Sequence, residues 1–184
     1  MMGMAKEIFI SVDIEASGPV PGTYSMLALG ACMVGNVAEK FYVELRPISE
    51  ASVPAAMAVV GKTIEDFQQT GREPAEAMAE FGAWVSRVSR GGKPVFVGFN
   101  AVFDWAFVNW YFHTFQRENP FGFGGLDVKS FYMGMSGCSW DQTRSSQIPA
   151  KYRGDAQHTH NALSDAIEQA EVFKRMGRDT GVIK

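Results

Sequence analysis

An alternating segment near the beginning of the chain, residues 6–15, places two acids on one face of a predicted β-strand. Apolar side chains hold every second position of this segment: Ile8, Ile10, Val12 and Ile14. This period of two is typical of a strand, in which residues i and i+2 point to the same face. Asp13 and Glu15 therefore lie together at the edge of a core, where charges are costly unless something neutralises them. Carboxylate oxygens suit Mg²⁺ or Mn²⁺, so the segment predicts a divalent metal site.

The composition is that of one globular domain, residues 1–184, with a substantial core, since 46% of the 184 residues are hydrophobic. A net charge of -3 excludes a strongly basic nucleic-acid coat protein. It does not exclude action on nucleic acid, because a bound metal attracts phosphate locally. Cys32 and Cys138 lack metal-ligand spacing, and no signal-peptide or membrane-length apolar stretch is present. A reduced, cytoplasmic protein with no membrane partner is expected.

The first part of the chain predicts three strands that form an antiparallel meander. They cover residues 6–15, 24–34 and 38–45, with a turn at Gly35-Asn36. Residues 52–90 then follow a helical pattern, in which Thr63 and Asp66 resemble a capping box and Pro74 suits a first turn.

The remainder alternates strands and helices, which together with the meander indicates an α/β domain with a mixed sheet. A strand is predicted over residues 94–99, and Asn100 is expected to cap a helix from 101 to about 115. A short strand is predicted within Gly124–Phe131, an irregular region over 134–159, and a last helix over 161–177.

Asp104 lies in the first turn of the helix that follows the buried strand. A helix N-terminus favours an acid by about 0.3–1 kcal/mol, which alone explains the residue. However, Phe103 and Trp105 flank it, and an acid among apolar neighbours needs a partner.

Asp165 shares an apolar line of the last helix with Ala162, Val172 and Met176, whereas a surface acid belongs on a polar line. His160 precedes it by five residues, about 140° away on an ideal helix. The two converge more easily if the helix starts at Asn161 and His160 precedes it. On the residues alone, a structural histidine next to an asparagine cap remains an alternative.

Taken together, these residues resemble the DEDDh family of 3′→5′ exonucleases, which includes proofreading subunits, ribonuclease T and oligoribonuclease. The resemblance spans residues 8 to 165, and two stretches add to it: Gly98-x-Asn100-Ala101-x-Phe103-Asp104 and His160-Asn161-Ala162-Leu163-x-Asp165-Ala166. The implied fold is ribonuclease-H-like: a mixed five-stranded sheet that begins with the meander and carries helices on both faces.

The resemblance also implies a mechanism with two divalent ions, Mg²⁺ or Mn²⁺. Asp13 would bridge both ions, Glu15 and Asp165 would complete the first site, and Asp104 would act through metal-bound water. His160 would be the general base for the attacking water, and the product would be a nucleoside 5′-monophosphate.

Substrate contacts follow from the same resemblance. Glu15 and Ala16 would contact the terminal 3′ hydroxyl through backbone groups, and Asn100 and Phe103 would also meet the substrate. Phe103 would stack on a base, although it could equally belong to the core. The family's Thr-Thr-Gly is Ala16-Ser17-Gly18 here, and its apolar wedge for the last base falls near Pro19, a poor match.

The expected substrate is the 3′ end of single-stranded RNA or a short oligoribonucleotide. A DNA exonuclease for proofreading or repair is the alternative. A non-catalytic nucleic-acid-binding domain ranks below both, and a structural Ca²⁺ site ranks last because EF-hand spacing is missing. Many relatives form homodimers, so a homodimer is a further expectation.

Overall fold

The computed structural model describes residues 6–153 and 160–183. A five-stranded sheet lies at its centre in the order β3-β2-β1-β4-β5. The strands are β1 (Glu7–Ala16), β2 (Met26–Met33), β3 (Asn36–Glu44), β4 (Lys93–Gly98) and β5 (Gly125–Asp127). The first three pair antiparallel, while β4 and β5 are added in parallel. The predicted meander and mixed sheet are confirmed.

Helices connect and cover the strands. They are α1 (Pro54–Val60), α2 (Ile64–Thr70), α3 (Pro74–Ser89), α4 (Ala101–Phe115), α5 (Val128–Ser136), α6 (Ala150–Arg153) and α7 (Ala162–Thr180). The predicted capping box opens α2, with the Thr63 side chain accepting from the Asp66 N–H. Pro74 occupies the first turn of α3, as expected. None of the helices in the described residues is both long and apolar enough to cross a membrane.

Alternation along β1 divides the core between the two faces of the sheet. Ile10, Val12 and Ile14 belong to a large apolar cluster with side chains of α3 and α4. Phe9 faces the other way and packs edge-on against Phe173 of α7, with ring centroids 5.3 Å apart. Asp13 shares the odd-numbered face with Phe9, so the strand acids point towards the α7 side.

The predictions for residues 124–131 and 134–159 have different outcomes. The short strand predicted within Gly124–Phe131 is confirmed as β5, which ends at Asp127 because the Asp127 carboxylate accepts the Ser130 N–H at 2.7 Å and starts α5 there. The region 134–159, expected to be irregular, contains the end of α5, two short 3₁₀ helices (Trp140–Thr143 and Ser145–Gln147) and α6. Its last part, 154–159, lies outside the described residues.

Candidate active site

The end of β1 and the start of α7 bring three carboxylates together. One carboxylate oxygen from each of Asp13, Glu15 and Asp165 lies within 4.8 Å of the other two. Asp13 and Glu15 come from one face of β1, and Asp165 comes from the first turn of α7. This acidic trio is an all-oxygen donor set, the kind that hard divalent cations prefer.

The acidic trio is electrostatically strained without a cation. Burial raises the pKa of Asp13 well above its ordinary value, and the charges of Asp104 and Asp165 raise it further. Burial, together with the charge of Asp165, raises the pKa of Glu15 to about 7. Desolvation and like-charge repulsion both oppose ionisation here, and a divalent ion would relieve both. The residues present therefore fit the metal that the family resemblance implies.

Asp104 is not part of this trio and contacts β1 from the opposite face of the sheet. Its Oδ1 accepts the backbone N–H of Ile14 at 3.0 Å, and Ile14 is the residue between the two strand acids. Burial raises the pKa of Asp104 to about 7, and the hydrogen bond from Ile14 opposes this rise. The partner expected for this buried acid is thus the backbone of β1. The bond fixes α4 relative to Asp13 and Glu15.

The start of α4 is capped by a residue that sequence reasoning missed. Asn100 precedes the helix but has a left-handed backbone conformation (φ 66°), and its side chain makes no capping bond to any described residue. Because a capping side chain normally requires an extended backbone, the predicted Asn100 cap is wrong. Asp127, at the end of β5, accepts the Ala101 N–H at 2.7 Å instead. One carboxylate therefore caps α4 and α5 together.

The start of α7 follows the predicted pattern more closely. The Asn161 side chain accepts the Ser164 N–H at 3.1 Å, and Asp165 is buried together with Ala162 on the same side of the helix. His160 lies in the loop immediately before this cap and is exposed, with φ 53°. The helix thus begins at the point that was expected to let His160 and Asp165 converge.

Gly30 allows α7 to approach the sheet, and this contact was not foreseen. It pairs with Asp13 across β1 and β2. A Cβ at Gly30 would lie 2.3 Å from the carbonyl carbon and oxygen of Ala162 and from the nitrogen of Leu163. A side chain there would displace the first turn of α7. An isolated glycine within an apolar strand often marks a place where another backbone approaches closely. Gly30, between Leu29 and Ala31, could therefore have indicated this contact.

Serine side chains hold the loop that follows the strand acids. The Ser17 hydroxyl donates to the Ala51 carbonyl at 2.8 Å and accepts the Ser25 N–H at 2.9 Å. The Ser17 carbonyl accepts the Val53 N–H at 2.7 Å. The stretch in which the chain departs from the family pattern is therefore fixed to the segment before α1.

The residues expected to meet the substrate differ in accessibility. Ala16 is buried beside a register shift that follows Glu15 in β1. Asn100 is exposed. Phe103 is 36% exposed, and its ring packs against Phe107 with centroids 5.3 Å apart. Phe103 is thus partly surface and partly core.

Comparisons with known proteins found similar exonucleases. No family model matches the sequence. The 3'-5' DNA exonuclease Cap18 of Escherichia coli is 48% identical over 170 residues, covering 92% of this chain and 91% of that protein. The nuclease domain of 3'hExo, a DEDDh family member bound to rAMP, has a TM-score of 0.77 at 14% identity and covers 96% of this chain and 94% of its own. This chain belongs to the DEDDh family of 3′-5′ exonucleases.

Other exonucleases share the DEDDh fold at low identity. Escherichia coli Exonuclease I in complex with a dT13 oligonucleotide has a TM-score of 0.72 at 18% identity, covering 96% of this chain and 43% of that one. The family, the ribonuclease-H-like fold and the enzyme class predicted from the sequence are confirmed. DEDDh exonucleases depend on divalent metal ions, and the acidic trio is a group of carboxylates that could hold such an ion.

Proposed function

We propose that this exonuclease removes nucleoside 5′-monophosphates from the 3′ ends of single-stranded DNA, with residues 1–184 acting as one catalytic domain. The acidic trio is the observation that carries the catalytic part of the proposal. The 48% identical relative, named as a DNA exonuclease, supports DNA. The sequence had favoured RNA or short oligoribonucleotides. RNA has less support as the substrate, because the solved exonuclease that contains rAMP is only 14% identical to this chain and shows a shared fold alone.

Asp13, Glu15 and Asp165 are the proposed metal ligands, and Asp104 is the fourth acid of the set. Mg²⁺ or Mn²⁺ suits these oxygen donors. When bound, two divalent ions lower the pKa of the attacking water and stabilise the attacking and leaving oxygens. The carboxylates would hold the ions in fixed positions, because they lie on β1 and in the first turns of α4 and α7.

His160 is the proposed general base. An imidazole accepts a proton readily near neutral pH. Its exposed position in front of the Asn161 cap leaves the ring accessible to a water molecule and a 3′ nucleotide. The ring would take the proton of the attacking water while the phosphodiester bond breaks on the opposite side.

The proposed substrate contacts are Glu15, Ala16, Asn100 and Phe103. The exposed part of the Phe103 ring supports stacking on a base near the 3′ end, and its packing on Phe107 would hold the ring in place. The backbone of Glu15 and Ala16 lies at the end of β1, beside the acids, and would bind the terminal sugar. A homodimer stays a prediction from the resemblance.

The test is degradation of 5′-labelled single-stranded DNA and RNA of matched sequence, with Mg²⁺ and with Mn²⁺. DNA should shorten stepwise from its 3′ end and release nucleoside 5′-monophosphates, and RNA should be cut more slowly. Faster hydrolysis of RNA would contradict the DNA assignment. Hydrolysis of neither substrate with either metal would contradict the catalytic assignment and favour a binding domain.

A histidine pair tests the proposed base. His160→Ala should lower kcat by about 10²–10⁴, the usual contribution of general acid–base catalysis. His113→Ala is the matched control, because His113 is also exposed but lies in the last turn of α4, beside the Arg117 carbonyl. Equal activity of the two variants would remove the base assignment from His160.

A further inference from the structure

A buried glutamine in α7, one turn beyond Asp165, joins the elements that carry the acids. The Gln169 side chain is 4% exposed. Its Nε2 donates to the Val12 carbonyl at 2.7 Å, and its Oε1 accepts the Phe99 N–H at 2.6 Å. Val12 immediately precedes Asp13, while Phe99 follows β4 and leads into α4. A backbone acceptor and a backbone donor are both satisfied by this one amide, which fixes its orientation.

The position of Gln169 coincides with the point where β1 and β4 separate. Their parallel pairing ends at Ser11 and Val97. The Val12 carbonyl and the Phe99 N–H lie just past that pair, and both bond to Gln169. The amide thus occupies the gap between the two strands directly before the acidic trio. Buried backbone groups must be paired, so without this side chain the strands would have to close or the gap would need another polar partner.

We infer that Gln169 is a positioning residue for the acidic trio. By bonding to β1 and to the β4–α4 connection, it fixes α7 against Val12 and sets the distance between Asp165 and Asp13. It acts through backbone groups and belongs to neither the metal ligands nor the substrate contacts. The inference rests on the proposed function, in which the separation of these carboxylates determines metal binding and rate. Displacements of about 1 Å in such sites reduce rates by about 10².

Gln169→Met tests the inference, since it keeps a similar volume and removes both hydrogen bonds. We expect kcat on single-stranded DNA to fall by about 10–100-fold, the usual effect of losing a partner behind metal ligands. The KM for DNA should be unchanged. We define the metal midpoint as the Mg²⁺ or Mn²⁺ concentration that gives half of the metal-induced rise in melting temperature. This midpoint should increase by a similar factor. This second readout needs no catalysis.

Val172→Ala is the matched control, because Val172 is equally buried in α7 but belongs to an apolar cluster. It should lower the melting temperature and leave kcat and the metal midpoint at their wild-type values. A purely structural role for Gln169 predicts the same behaviour for both variants.

Gln169→Asn provides a second variant if the methionine variant does not fold. It keeps the amide but is one methylene shorter, so it cannot reach both backbone partners, and the same loss of kcat and rise in metal midpoint are expected. The inference is overturned if a folded Gln169 variant keeps the wild-type kcat and metal midpoint, or if Val172→Ala reproduces the loss. The two readouts can also disagree. If the wild-type protein does not cut DNA but its metal midpoint still depends on Gln169, the proposed function is overturned and the positioning role of Gln169 stands.

Discussion

Helices α4 and α7 begin with the same five-residue pattern, Asn-Ala-x-x-Asp, at residues 100–104 and 161–165. Each delivers an acid from its first turn to the same strand, and they do so from opposite faces of the sheet. Only the second asparagine caps its own helix in the described structure, whereas the first leaves that role to Asp127. The pattern thus determines where a helix starts and where its acid lies, and tertiary neighbours determine what satisfies the helix end.

The two helices also approach the sheet by different means. The start of α7 lies against Gly30 in close van der Waals contact, so its placement depends on shape. The start of α4 is tied by hydrogen bonds, from the Ile14 N–H to Asp104 and from the Ala101 N–H to Asp127. Added volume beneath the helix start should therefore affect α7 more than α4. Loss of a hydrogen bond at the helix start should affect the contact with the sheet more at α4, because α7 is bonded to β1 one turn further on, through Gln169.

The largest effect is expected at Asp13 of β1, because the acids that both helices supply, Asp104 and Asp165, act on its carboxylate. Asp13→Asn should reduce kcat by more than about 100-fold, because loss of a metal ligand costs more than the roughly 10–100-fold lost with a partner behind a ligand. The same change should raise the melting temperature of the metal-free protein, because it removes a charge that is buried and repelled by Asp104 and Asp165. Single-turnover assays and melting curves with and without Mg²⁺ measure both effects. Glu65→Gln, at an exposed acid of α2, should change neither.

The dependence of α7 on shape can be broken at Gly30. Gly30→Ala should lower the free energy of unfolding by about 1–3 kcal/mol, because the new methyl group overlaps the backbone of Ala162 and Leu163. Activity should fall as well, since Asp165 moves with the first turn of α7. Denaturant unfolding and DNA degradation measure the two losses.

Gly98→Ala is the corresponding change on the α4 side. Its Cβ would lie 3.0 Å from Ala101, a less severe contact, so a smaller loss of stability is expected. Equal losses for the two alanine variants would contradict the view that shape matters mainly for α7.

The metal-free protein should become less stable as the pH rises. The pKa of Glu15 and the pKa of Asp104 are each raised to about 7 by burial, above their unfolded values near 4. Their contribution to stability is therefore full below about pH 4 and is lost as the pH rises through about 7. Melting curves from pH 4 to 8 in a chelator would show this decline, and saturating Mg²⁺ should oppose it by binding the ionised acids.

Single variants separate the two sides of this pH dependence. Glu15→Gln should remove the loss of stability with rising pH that is caused by the raised pKa of Glu15, next to Asp165. Asp104→Asn should remove the loss that is caused by the raised pKa of Asp104 in α4. A metal-free melting temperature that increases steadily between pH 5 and 8 would contradict the raised pKa values.

The smallest effects are expected at the helix caps. Asp127→Ala should cost about 2 kcal/mol, because it removes the cap of α4 and the cap of α5, each worth about 1 kcal/mol. Asn161→Ala should cost about 1 kcal/mol, the value of one cap. Asn100→Gly should change stability little, because glycine readily adopts the left-handed conformation. Urea unfolding of the three variants tests this order, and a loss at Asn100 equal to that at Asn161 would contradict it.

Local patterns predicted much of the fold and of the site. The alternation of residues 6–15 gave β1 and the shared face of Asp13 and Glu15, and the apolar line of α7 gave the burial of Asp165. The contacts that sequence reasoning missed join distant residues. Asp127 caps a helix that begins 26 positions earlier, and Gln169 bonds to a carbonyl 157 positions away. No local pattern contains such pairs, because the sheet brings them together.

Substrate choice was the least predictable property for a related reason. The loop after Glu15 departs from the family pattern, and its conformation depends on the bonds of Ser17 with Ala51 and Val53. Those partners lie more than thirty positions along the chain. A motif comparison limited to Ala16-Ser17-Gly18 could not include them.

The position of Asp165 and Gln169 in the last helix has a consequence for biosynthesis. A chain emerges from the ribosome with its N-terminal part first, and β1 to β5 can assemble before α7 is complete. Until α7 reaches Gly30, the growing polypeptide lacks one of its three clustered carboxylates. The proposed site is therefore complete only after α7, which follows all five strands along the chain, has folded onto the sheet.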